Sequence, residues 1–326
     1  MTVNLAIAGL GIWGRTLVEA VQGKSDRVRF TTAVVRDAEA RAQFAAAHGL
    51  RLVTGLDEAL VDPAIAGVVL ATPHSLHVPQ ALVVARANKA VFVDKPFALD
   101  RAGASSVVAA CRSSDVPLAV GFNRRLLPCY RALLGMVTSG ALGSVLHVDG
   151  NFSAPAGLRY DPTMWRATDE ESPVGGLAGL AIHQIDMLIE LFGEVQSVAV
   201  RSERRHLSVP IDDTTTIQLT MRNGVSASLT TLTATAYRWR FCIMGSAGWA
   251  EMLGENRLLS CAVGGEPQET RYEEFSTERA ELEAFAAQID RGAAPIVPHE
   301  QAIHGAAVFE AIVRAARDGR EQRVEG

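Results

Sequence analysis

The chain lacks a long apolar run, a basic stripe and any close pair of cysteines. No apolar segment approaches the ~20 residues that cross a bilayer, so no membrane span is expected. Lysine and arginine number 31 against 36 aspartate and glutamate, for a formal net charge of −5. That balance leaves no cationic surplus to neutralise phosphates, which argues against a nucleic-acid partner. It argues equally against polybasic attachment to a membrane. The four cysteines, Cys111, Cys129, Cys242 and Cys261, lie far apart and form no C-x-x-C pair. Buried thiols in a reducing compartment are the expectation, without a zinc site. His206, His299 and His304 show no metal-ligand spacing with acids, so no metal is expected. The opening Met1-Thr2-Val3-Asn4 has no basic n-region, so a signal peptide is not expected. There is no internal repeat and no low-complexity tract. A soluble, cytoplasmic protein that binds a small molecule fits these absences.

What is present is an ordinary globular composition, 48% hydrophobic and 21% charged over 326 residues. That length exceeds one simple core and suits two domains. Over residues 3–121 strand and helix signals alternate. Strands are expected at Val3–Ala8, Val28–Val35, Ala66–Ala71, Ala90–Val93 and Leu118–Gly121. Helices are expected from the first glycines to about Val21, and at Asp37–His48, Val78–Asn88 and Arg101–Ser113. Such alternation predicts βαβ units and a doubly wound parallel sheet. After Gly121 the pattern changes. Helices at Cys129–Ser139 and about Gly176–Leu191 flank a strand at Leu146–Phe152. Strands without intervening helices then follow between Gln196 and Leu253, with Asn223-Gly224 as a hairpin turn. Helices at about Arg279–Arg291 and His299–Asp318 close the chain. The expected division is a nucleotide-binding domain at 1–121 and an α+β domain at 122–326, the latter built on a large, mainly antiparallel open sheet. In Thr214–Met221, residues Thr215, Ile217, Leu219 and Met221 share one face. The opposite face, with Thr216, Gln218 and Thr220, is either wet or a subunit contact.

Val3–Ala8 runs into Gly9-Leu10-Gly11-Ile12-Trp13-Gly14 and then a helix. A bare G-x-G-x-x-G is a weak signal, but between a first strand and a first helix it is the dinucleotide fingerprint. Gly9 permits the turn, Gly11 admits the pyrophosphate to the backbone, and Gly14 lets the helix pack on the strand. Helix N–H groups beyond Ile12 and Trp13 face the phosphates. At the end of the second strand, where an acid reads the ribose of NAD, the chain has Val34-Val35-Arg36-Asp37. The guanidinium of Arg36 suits a 2′-phosphate, so NADP(H) is favoured. Asp37 is the rival, and with it NAD(H). Lys95, in Asp94-Lys95-Pro96, ends a buried strand at the edge where α/β sheets bind ligands. Such a lysine is commonly just solvated. Beside a bound cofactor and out of water it would exchange a proton near neutral pH.

These motifs in this order resemble the glucose–fructose oxidoreductase/inositol dehydrogenase (Gfo/Idh/MocA) family, over nearly the whole length. The glycine loop is similar to the family's, tryptophan included. Ala71-Thr72-Pro73-His74-Ser75-Leu76-His77 resembles its Thr-Pro loop, and Asp94-Lys95-Pro96 its Glu-Lys-Pro motif. Gly121-Phe122-Asn123-Arg124-Arg125 looks like the segment opening the second domain. Trp165-Arg166, then Gly175-Gly176, His183 and Asp186, resemble the substrate-side motif. The resemblance implies a Rossmann domain followed by an open-sheet domain, cofactor contacts at Thr72, Pro73, His77, Asp94 and Lys95, and a homodimer or homotetramer. It implies substrate contacts at Lys95, Asn123, Trp165, Arg166, Gly179, His183 and Asp186. One departure stands out. The family usually has aspartate four residues before the histidine, one helical turn away, and here the position is Gly179.

The expected activity is hydride transfer between a nicotinamide and a secondary alcohol or carbonyl of a sugar or polyol. Lys95 is the expected acid/base, with His183 assisting at the reacting oxygen. Gly179 keeps two alternatives open. One is an NADP-binding sensor or regulatory protein. The other is a glycoside-processing enzyme that oxidises transiently and retains its cofactor.

Overall fold

The computed structural model describes residues 2–325. Its secondary structure begins with β1 (Val3–Ala8), α1 (Ile12–Val21), β2 (Val28–Val34), α2 (Ala42–His48), β3 (Arg51–Val53), α3 (Leu56–Leu60) and β4 (Gly67–Leu70). Next come α4 (His77–Arg86), β5 (Ala90–Asp94), α5 (Arg101–Ser113) and β6 (Leu118–Gly121). The first six strands form one sheet in the order β3-β2-β1-β4-β5-β6, every neighbouring pair parallel. β4, β5 and β6 are buried at every residue, as expected of parallel strands covered on both faces. The strand order reverses beside β1, and this switch point is where doubly wound sheets open a crevice at their carboxyl ends.

The remaining elements are α6 (Pro128–Thr138), β7 (Val145–Ser153), α7 (Ile182–Phe192), β8 (Val195–Glu203), β9 (Thr214–Met221) and β10 (Ser226–Leu232). They continue with β11 (Arg238–Gly245), β12 (Gly248–Leu253), β13 (Arg257–Ala262), β14 (Gln268–Arg271), α8 (Thr277–Arg291), α9 (His299–Asp318) and β15 (Gln322–Arg323). The nine strands of this part form a second sheet ordered β14-β13-β12-β11-β7-β10-β9-β8-β15. It is antiparallel except where β10 runs parallel to β7. β9 alternates as its residues demand: Thr215, Ile217, Leu219 and Met221 are buried, while Thr216, Gln218 and Thr220 are exposed in the single chain. Gly150 on β7 has no room for a side chain, because a Cβ there would stand 2.7 Å from both Gln184 Oε1 and Leu229 Cδ2. That close approach seats α7 against the sheet.

The chain divides into two compact units, but not at a single cut after Gly121. The first runs to Asn123 and also contains Ser276–Ala302; the second contains Arg124–Phe275 and the chain from Ile303 on. The return of α8 to the first unit has a physical reason. Leu282, Phe285 and Ala286 join the core built by Leu5, Ile7, Phe30 and Phe92, with the Phe285 and Phe92 rings edge-on at 5.6 Å. Ser276 caps α8 by accepting the Arg279 N–H, and Gly292 ends it in a left-handed conformation. Among the described residues, no helix is long and apolar enough to cross a membrane.

Candidate functional site

In the first unit the motif residues line one edge of the parallel sheet. Gly9 follows β1, Thr72 follows β4 and Lys95 follows β5, and these strands are adjacent and parallel. Three neighbouring strands span about 10 Å, so the three loops form one row. Gly9 takes a left-handed φ of +96°, and a Cβ on it would lie 2.5 Å from Ala71 O. A Cβ on Gly14 would lie 2.0 Å from Gly9 O. Both positions demand glycine. Gly11 is different: a Cβ there would meet nothing within 4 Å, so its side is open to an approaching group. Gly11 begins α1 without a side-chain cap, and α1 has no acid in its first turn. Its first N–H groups and positive dipole end suit a diphosphate. Ile12 is 79% exposed over this turn, while Trp13 packs against the core. The residues fit a dinucleotide.

The end of β2 adjoins this loop, since Gly9 N donates to Val34 O at 3.0 Å. Val35 is buried, and Arg36 and Asp37 are exposed. Asp37 Oδ1 accepts the Ala40 N–H at 3.0 Å, which gives this carboxylate a local capping task. Thr72 donates its hydroxyl to Gln80 Oε1 at 2.7 Å. His77, at the start of α4, is 1% exposed. Its Nδ1 lies 2.8 Å from Pro96 O and its Nε2 lies 3.1 Å from Thr72 O. Asp94 is buried and Lys95 half-buried. Asn123 directs its amide nitrogen to Thr277 Oγ1 and Glu278 Oε1, both at 3.1 Å, so it is tied to the first turn of α8.

In the second unit, His183 sits on α7, 4% exposed, its ring 6.0 Å from that of Phe152. Phe152 in turn meets Trp239 at 4.6 Å and Tyr237 at 6.0 Å. The segment before α7 is not a plain helical turn: Leu177–Ala181 is a π-helix. Gly179 lies in it, exposed and with open space around it. Asp186 is gripped by Arg125, with Nε at 2.8 Å from Oδ2 and Nη2 at 2.7 Å from Oδ1. Glu190 stands 3.6 Å from the same guanidinium and accepts the Tyr130 hydroxyl at 2.8 Å. Burial pushes the Asp186 carboxyl up to about 6, against the pull of Arg125. Arg124 pairs with Glu255 at 2.9 Å. Trp165 and Arg166 are half-buried, and the guanidinium stacks 3.9 Å over the indole. An open hollow of about 420 Å³ is lined by Leu127, Tyr237, Glu255, Glu273 and Phe275 among others.

Sequence reasoning placed Gly9, Thr72 and Lys95 at strand ends but did not give the Arg125–Asp186–Glu190 lock or the Phe152 wall. The lock had a faint signal: His183, Asp186 and Glu190 follow helical spacing on one side of α7. Phe152 had none, because its pairing depends on strand register.

Comparison with known proteins places both units in one family. Residues 3–122 match the oxidoreductase family with an NAD-binding Rossmann fold, and residues 130–251 match the GFO/IDH/MocA C-terminal domain. The chain belongs to the GFO/IDH/MocA oxidoreductase family. Inositol 2-dehydrogenase of Rhizobium meliloti is 26% identical over 98% of this chain and 99% of its own length. Oxidoreductase P35 of Formosa agariphila is 28% identical, but the match spans only 60% of this chain and 62% of that protein. The crystal structure of an aldose–aldose oxidoreductase from Caulobacter crescentus with glycerol superposes with a TM-score of 0.89. That match is 24% identical and covers 99% of this chain and all of the other.

Proposed function

We propose that this family member is an NADP(H)-dependent oxidoreductase acting on a secondary alcohol or carbonyl of a sugar, polyol or related hydroxylated compound. The observation that carries the reading is the row of Gly9, Thr72 and Lys95 on three adjacent parallel strand ends. A nucleotide on the α1 N-terminus lies at the same sheet edge as the lysine. The nicotinamide, when bound, supplies the hydride chemistry. Lys95 gives or takes the hydroxyl proton, which its half-buried position favours. His183 hydrogen-bonds the reacting oxygen, and Trp165 with Arg166 contacts the remainder of the substrate. Thr72, Pro73, His77 and Asp94 shape the cofactor side. Arg36 holds the 2′-phosphate, a reading supported by the capping bond that occupies Asp37.

Lys95→Met should bind NADPH as wild type does and lose about 10²–10⁴-fold in kcat. Wild-type turnover by that variant would remove Lys95 from the role. Direct titration should show tighter binding of NADPH than of NADH; the reverse order rejects Arg36 as a phosphate ligand. The open, side-chain-free Gly179 favours a second reading, an NADP-binding protein without net dehydrogenation. Tight cofactor binding with no redox exchange over a panel of sugars, polyols and keto compounds would select it.

A further inference from the structure

We propose that His77 is a positioning residue that holds Lys95 through a doubly protonated imidazole. The inference rests on the role given to Lys95 above. The ring of His77 is 1% exposed and stands between two backbone carbonyls. Nδ1 lies 2.8 Å from Pro96 O, and Nε2 lies 3.1 Å from Thr72 O. A carbonyl oxygen only accepts, and a neutral imidazole has one N–H. Only the imidazolium makes both bonds. The two carbonyls belong to the loops that matter: Thr72 follows Ala71, against which Gly9 is packed, and Pro96 follows Lys95. One buried proton therefore couples the glycine-loop side of the sheet edge to the lysine's backbone. When His77 loses that proton, one bond becomes a repulsive contact between two lone pairs, and the Lys95-Pro96 turn is released from the Thr72 loop or shifted.

The charged and titratable groups around this ring come from few elements. The turn before α4 supplies His74, whose ring centroid is 5.9 Å away. β5 ends in Asp94 and is followed by Lys95. α5, packed against α4, carries Arg101, Cys111 and Arg112 and is capped by Asp100. β4 contributes none, and α4 itself carries only Arg86 besides His77.

The experiment has two arms. In the first, the wild-type protein is labelled with ¹⁵N-histidine and observed by NMR from pH 6 to 9, with and without NADP. Both His77 ring nitrogens should carry protons at neutral pH; a bare, unprotonated ring nitrogen at pH 6–7 overturns the proposal whatever the enzyme's activity. In the second, kcat and KM are measured against pH for wild type, His77→Gln and His77→Lys. A glutamine amide keeps N–H donors on one nitrogen but carries no charge and does not titrate, while an ammonium keeps the positive charge. His77→Gln should lose on the order of tenfold in kcat and lack the alkaline fall in kcat that deprotonation of His77 is expected to add to the wild-type profile. His77→Lys should recover part of kcat. A His77→Gln enzyme with the wild-type pH profile, or failure of lysine to recover activity in a folded variant, refutes the positioning role. Absence of any redox turnover in wild type would count against the function proposed above, while the NMR arm would still decide the state of His77.

Discussion

Gly179 and Arg125 show how single residues divide between chemistry and architecture. A Cβ at Gly179 would meet nothing within 4 Å, and the residue has no left-handed φ, so packing does not require glycine there. Gly179→Ala should therefore stabilise the protein by about 0.5–1 kcal/mol, the helical cost of glycine, read as a raised urea midpoint at constant slope. Arg125 is the opposite case. It is 2% exposed and Asp186 is 5% exposed, so each neutralises a charge that burial has removed from water. Arg125→Met strands Asp186 and should cost about 3–5 kcal/mol. Arg125→Met with Asp186→Leu should be more stable than Arg125→Met alone, because it buries no lone charge. Urea unfolding of the three proteins measures this. Because Asp186 lies three residues from His183 on α7, the single variant should also lower kcat. The roles of Gly9 and Gly14 could be read from spacing. The lock on Asp186 could not, because its partner lies 61 residues away and no local pattern encodes that distance.

At the scale of elements, one buried carboxylate organises the loop that follows β8. Asp213 accepts the N–H groups of Arg205, His206 and Leu207 and the hydroxyl of Thr214. Burial pushes its carboxyl up, but the donors from Leu207, His206, Thr214 and Arg205 together bring it below the ordinary value. Leu207 on this loop packs into the small core of Ala167, Val209 and Ile211, which borders Trp165-Arg166. A lowered folded pKa stabilises above the unfolded value and is lost as pH falls through the folded one. Asp213→Asn should thus cost about 2 kcal/mol at pH 7, with the gap to wild type closing below about pH 4. Urea titrations at pH 7 and in acid test both parts. The alternation of β9 and the hairpin at Asn223-Gly224 were legible in the sequence because they are local. The short strands β3, β14 and β15 were not, because few residues carry each pattern and neighbouring strands decide them. The π-helical turn before His183 also escaped, since Gly179 within it reads as an ordinary helix position.

For the whole molecule, the chain order hides the division into units. Residues 276–302 return to the first unit, where Phe285 reaches Phe92. Phe285→Ala should cost about 3–5 kcal/mol. A fragment ending at Asn123 lacks this cover for its core and should melt without cooperativity, as followed by circular dichroism. Adding residues 276–302 as a separate peptide should restore a sharper transition. The expected cut after Gly121 rested on a change of strand pattern, which marks where one sheet ends. It carries no information about a helix that returns 155 residues later.

By itself the sequence determined the parallel sheet, the glycine loop and the placement of Lys95 at a strand end. Each follows from short-range sterics and from burial on both faces of a strand. The tertiary structure decided which residues are held rather than free. It set Asp186 against Arg125, Asp37 against its own turn, and His77 between two carbonyls. Those pairings depend on distances between segments remote in sequence, which only the packed chain fixes.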